Sequence, residues 1–117
     1  MKLEDQICSI ELSKRLKELG VKQESFFIWT PLQLAAYHSM SKVKEKRGDW
    51  ISAFTVAELG DMLPPFVTTE KYLCKNKPRF NTHEKETIEC HSWHDDKEAD
   101  ARAKMLVHLI EKGLVKP

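Results

Sequence analysis

The segment from Asp95 to Val115 constrains the fold more than any other stretch, because it carries the signals of an amphipathic helix in their proper order. Asp95 is placed to cap the amino end, and Glu98 three residues on can reach back to it, as in a capping box. Acidic residues crowd the first turn, where the helix dipole favours them. Ala99, Ala103, Leu106, Val107, Ile110 and Leu114 fall on one face at helical spacing, and Gly113 supplies the stop. Such a stripe needs an apolar surface to cover, which the rest of the chain must provide.

A second helix is expected from Ser9 to Leu19, with Ser9 as cap, Leu12, Leu16 and Leu19 as the stripe and Gly20 as the stop. Ser25 to Thr30 is rich in aromatic and β-branched residues and reads as a strand, limited by Pro31. Thr30 and Pro31 open a short helix within Leu32–Lys46, and Lys42 to Gly48 reads as a solvated turn. Trp50 to Phe54 leads into Thr55–Glu58, a capping box opening a short helix through Met62. Pro64 and Pro65 end it. Two strands follow, Lys71–Lys77 and Lys85–Trp93, around a loop marked by Pro78, Asn81 and Thr82. With Thr82 at the loop centre, Cys74 faces Cys90 and Lys75 faces Glu89. This order predicts one α+β domain over residues 1–117. A small, mainly antiparallel sheet, with its central hairpin at about 71–93, packs against N-terminal, middle and C-terminal helices.

Composition narrows the class. At 41% hydrophobic and 32% charged, the 117-residue chain reads as globular. A net charge of +1 argues against a surface devoted wholly to nucleic acid. No apolar run approaches the ~18 residues that span a bilayer, and Met1–Gln6 shows no export signal. The three scattered cysteines, Cys8, Cys74 and Cys90, are therefore expected as reduced thiols in a cytosol.

Four chemistries can be weighed against plainer readings. Cys74, His83, Cys90, His91 and His94 suggest a metal site. Zinc, however, takes tightly paired ligands, and adjacent Cys90 and His91 on a strand would face opposite ways. Cys74, Cys90 and His94 could share a face, which gives only three ligands. His83 and Glu84 begin a zincin-like motif whose second histidine would fall at Thr87. There is no Gly-rich phosphate loop or nucleophile elbow, and Asp95–Asp96 reads as a helix start rather than an acid/base dyad. Glu11–Val21 followed by Lys22–Ser25 and Trp29 invites a helix-turn-helix, but Phe26, Phe27 and Ile28 are too apolar for a recognition helix. Finally, Lys71, Lys75, Lys77 and Arg79, with Tyr72 and Phe80 nearby, could bind single-stranded nucleic acid. A partner strand carrying Glu84, Glu86 and Glu89 explains the same charges by cross-strand pairing. Lys42, Lys44, Lys46 and Arg47 form another basic cluster, read as solvated.

Three segments taken together resemble a group of small bacteriophage and prophage proteins of gut and related bacteria. They are Cys8–Ser25 with Trp29, Ser52–Pro64, and Glu98–Val107 with Leu109 and Ile110. They cover more than a third of the chain. The resemblance implies a phage or prophage origin and action inside a bacterial cell. It transfers no catalytic or binding residue, since the shared positions are mostly caps, glycine stops and apolar stripes. The expectation is a non-enzymatic cytoplasmic factor that binds a phage or host protein, with no cofactor and no membrane contact. The alternatives are a nucleic-acid-binding accessory protein using Lys71, Lys75, Lys77 and Arg79 or the first helix, and a metal-dependent enzyme.

Overall fold

The computed structural model describes residues 3–29, 34–36, 51–65, 67–74, 77–84 and 92–117. After a 3-10 turn at Leu3–Gln6 come α1 (Ile10–Glu18), β1 (Phe27–Trp29), β2 (Leu34–Ala36), β3 (Ile51–Ser52) and α2 (Val56–Met62). Then follow β4 (Val67–Cys74), β5 (Lys77–Glu84), β6 (Ser92–Asp95) and α3 (Glu98–Glu111). The strands form two antiparallel sheets, ordered β2-β1-β3 and β4-β5-β6. The α+β expectation holds, with the strands divided between two sheets. The shortest dimension, 20 Å, is that of two packed layers.

The helix ends follow local chemistry. Both long helices close in Schellman motifs. Val21 N–H donates to the Leu16 carbonyl at 3.1 Å and Gly20 N–H to that of Lys17 at 3.0 Å. Leu114 and Gly113 repeat the pattern on Leu109 and Ile110. Gly20 and Gly113 take the positive φ that the motif needs, 92° and 74°. The Thr55–Glu58 capping box forms with both of its bonds.

The other two expected caps differ. Ser9 precedes α1, but its side chain does not cap the helix. Its backbone N–H donates to Asp100 Oδ1 of α3 at 2.7 Å, so a buried carboxylate from another helix holds this end. Asp95 is not the cap of α3. It is the last residue of β6, and Lys97 occupies the cap position. Asp95 instead accepts the Lys97 N–H at 3.0 Å and the Lys104 ammonium at 2.7 Å, fixing the corner between β6 and α3.

Two further expectations are corrected, and the preference for a core strand over a helix-turn-helix after Gly20 is borne out. Leu34–Ala36, expected within a helix, is a strand pairing with β1 through Phe27↔Ala36 and Trp29↔Leu34. The apolar stripe there is weak, and partnership with β1 outweighs it. The rest of Leu32–Lys46 and the Lys42–Gly48 turn lie outside the described residues. No second helix follows Gly20, because the chain leads instead into β1, which removes the helix-turn-helix. Pro78, Asn81 and Thr82 lie within β5 and not in a loop.

The register is Cys74↔Lys77 and Thr69↔Thr82, leaving only residues 75 and 76 to connect the strands. Cys74 therefore faces Lys77 in place of the expected Cys90, while Lys75, Glu89 and Cys90 lie outside the described residues. Pairing on both sides holds β5, and Thr82 is fully buried. Pro78 is tolerated because β6 pairs only with Phe80–His83, beyond it. Residues 85–91 of the expected second strand lie outside the described residues.

The core gathers on α3. Cys8, Leu16, Val21, Phe54, Leu59, Ala99, Ala103 and Leu106 form one buried cluster. Ala101, Met105 and Leu109 are equally buried outside it, and α3 also packs on β5 and β6. The helix is thus covered on two flanks, more widely than its stripe implies. Leu114 lies past the helix end and is 47% exposed.

Candidate protein-interaction surface

Of the four basic residues singled out in the sequence, Lys71 and Arg79 do not share a face. Lys71 lies opposite Phe80 in the register and Arg79 opposite Tyr72. Opposed residues share a face and successive residues alternate, so Lys71 and Arg79 point to opposite faces of the sheet. Arg79 is paired with Asp96 at 3.3 Å. Lys77 pairs with Cys74 at the hairpin end, and Lys75 lies outside the described residues. The acids Glu86 and Glu89 lie outside as well, and Glu84 is opposite Val67.

The metal candidates are also dispersed. Cys74 is opposite Lys77, while His94 is opposite Asn81, four residues further along β5. That is about 13 Å of strand, beyond the reach of one ion. His83 contacts Asn81 at 2.9 Å and Glu70 at 3.3 Å. Cys90 and His91 lie outside the described residues. Among the described residues no group of three or more His, Cys, Asp or Glu is arranged to hold a metal ion. No helix among them is long and apolar enough to cross a membrane.

The perturbed ionisable groups serve the packing between α1 and α3. Burial pushes the Cys8 thiol up to about 12, only partly offset by Ser13. Cys8 is therefore a neutral thiol and a poor nucleophile near neutral pH. Burial likewise raises the Asp100 carboxyl despite its bonds to Ser9 and the nearby Lys97. At Asp95 burial acts in the same direction, but Lys104 and the N–H groups of Lys97 and Asp96 outweigh it and hold the carboxyl low.

An apolar cleft of about 260 Å³ opens where the two Schellman ends meet α2. Val21, Met62, Leu106, Ile110, Val115 and Pro117 line it, with Lys22 and Glu24 at its margin. Lys22 and Glu24 are joined to each other at 3.3 Å. Phe26, two residues after Glu24 of the cleft, is 70% exposed. Its backbone N–H donates to Glu58 at 3.3 Å, and Glu58 lies one α2 turn before Met62 of the cleft wall. Sequence reasoning missed this surface because its residues come from four separated segments. Two signals pointed toward it. Apolar residues follow each glycine stop, and two adjacent phenylalanines in an alternating strand cannot both face inward.

Comparison with protein-family models, curated proteins and solved structures finds no match for this chain.

Proposed function

We propose that the protein works by binding another protein, without chemistry of its own, in the cytoplasm of a phage-bearing bacterial cell. The apolar cleft carries the binding part of this reading. It is concave, walled by Val21, Met62, Ile110 and Val115, and accompanied by an aromatic side chain 70% exposed to solvent. An exposed aromatic close in sequence to an apolar hollow is a usual mark of a protein interface. The dispersal of Lys71 and Arg79 over two faces favours a protein over a polyphosphate as partner. The cellular setting rests on the resemblance carried by Cys8–Ser25, Ser52–Pro64 and Glu98–Ile110.

Affinity capture from a nuclease-treated bacterial host lysate tests this. The wild-type protein should retain a partner protein at near-stoichiometric level. Val115→Asp, confirmed as folded by its thermal transition, should lose it. Capture unchanged by Val115→Asp, or capture of nucleic acid alone from untreated lysate, would overturn the proposal.

A further inference from the structure

β4 is an eight-residue strand at the edge of its sheet, pairing only with β5 among the described residues. The register shows which of its backbone groups point away from β5; among the described residues those of Thr69 and Lys71 have no strand partner. A two-residue connection makes the flanking pair, Cys74 and Lys77, a hydrogen-bonded pair. Pairs then alternate along the ladder. Tyr72, Glu70 and Thr68 aim their N–H and C=O groups at β5, while Lys71, Thr69 and Val67 aim theirs outward. An independent bond agrees with this phase. Val67 N–H donates to the Pro64 carbonyl at 3.0 Å and not to β5.

The side chains of these outward-bonding residues lie on the helix side of the sheet, as does Phe80 opposite Lys71. Two hollows sit there. One of about 300 Å³ adjoins Lys71, Phe80 and Val56, and Asp5, Asp96, Lys97 and Glu98 also line it. The other, of about 350 Å³, adjoins Val67, Thr69 and Arg102. Lys71 and Thr69 are two residues apart, the spacing at which alternate side chains of a neighbouring strand recur. Open main-chain groups with hollows at that spacing are what strand addition uses, the first for affinity and the second for specificity.

Charge decides the occupant. A second copy would pair β4 with β4 about a two-fold axis normal to the sheet. That axis keeps each face on its own side, so only residues of the same parity can oppose one another. The two registers that overlap most then set Glu70 against Glu70 or Lys71 against Lys71, like charges directly opposed. An unrelated strand is free of this restriction. Antiparallel to β4, it matches by carrying an acid opposite Lys71 and, next in sequence, a base opposite Glu70.

We propose that the outer edge of β4 is a docking site for an extended segment of another protein, which adds as a fourth strand and carries an acidic residue opposite Lys71. The site is separate from the apolar cleft, so Val115→Asp leaves it intact and the two proposals fail independently.

The test is amide hydrogen exchange on the intact protein. The probe is a capped eight-residue peptide of alternating valine and threonine, with glutamate fourth and lysine fifth, at millimolar concentration. The Thr69 and Lys71 amides should exchange fast in the free protein and slow at least tenfold with the peptide. A peptide with those two charges exchanged should protect them less. Lys71→Pro removes an outward donor and spares the bonds to β5. In a protein still folded by circular dichroism, it should abolish the peptide's protection of Thr69. Four results would overturn the proposal: slow exchange in the free protein, protection that grows with protein concentration alone, equal protection by both peptides, or none by either.

Discussion

Gly60 sits inside α2, where glycine is ordinarily a poor choice. Its reason is Arg102. A Cβ added at Gly60 would collide with the Arg102 guanidinium, which donates to the Val56 carbonyl at 2.8 Å and pairs with Glu98 at 3.1 Å. Helix propensity alone would make Gly60→Ala stabilising by about 1 kcal/mol. The packing offsets that gain, because the guanidinium must swing away from the Val56 carbonyl. Urea denaturation should show Gly60→Ala gaining less than about 1 kcal/mol, and the full gain in an Arg102→Met background. The buried carboxylates should respond oppositely to pH. Asp95 has a lowered folded-state pKa, so its contribution is full above the unfolded value of about 3.9 and lost as pH falls through the folded one. Asp100 has a raised folded-state pKa, so its contribution is full below about 3.9 and lost as pH rises through the folded value. Denaturation midpoints at pH 3 and pH 7 should show Asp95→Asn costing more at pH 7, and Asp100→Asn costing more at pH 3.

At the scale of elements, α3 organises the molecule. It contacts α1, α2, β5 and β6, and both its flanks are buried. Leu106 is 1% exposed and packs with Leu16, Phe54 and Leu59. Leu106→Ala should therefore cost about 2–5 kcal/mol. Ile110 is half-buried at the cleft, and Ile110→Ala should cost less; equal losses in thermal or urea unfolding would contradict this packing. The three helices, and the glycine stops of α1 and α3, were legible from the sequence because stripes and stops are local signals, whereas of the three expected caps only that of Thr55 formed. The hairpin register was not. Pro78 and Asn81 carry turn propensity, yet the pairing that holds β5 comes from residues distant in sequence. Leu34–Ala36 failed although its partner is near in sequence, since pairing with β1 decides its form over a weak helical stripe. The Ser9–Asp100 bond spans 91 positions and leaves no local mark. The cleft likewise depends on where helix ends meet, and only the apolar residues after each glycine stop and the paired phenylalanines at 26 and 27 hinted at it beforehand.

For the whole molecule, a central helix packed directly on one small sheet and through α1 on the other leaves β4 an edge among the described residues and the cleft open, a plan suited to holding partners. If the basic residues do not act together, binding to labelled oligonucleotides near physiological salt should be no tighter than about 10 micromolar, the non-specific range, and should weaken steeply with added salt. Submicromolar binding lost on reversing the charge of Lys71 and Arg79 in a folded protein would restore the nucleic-acid reading. The measurement closest to the central claim uses the captured partner once purified. Its dissociation constant should be read for wild type, Phe26→Ser and Val115→Asp at low and high salt. An apolar anchor predicts at least a tenfold loss for each variant, unchanged thermal transitions, and little dependence on salt. Equal affinity for all three proteins, or affinity that collapses with salt in wild type, would contradict an interface built on the cleft.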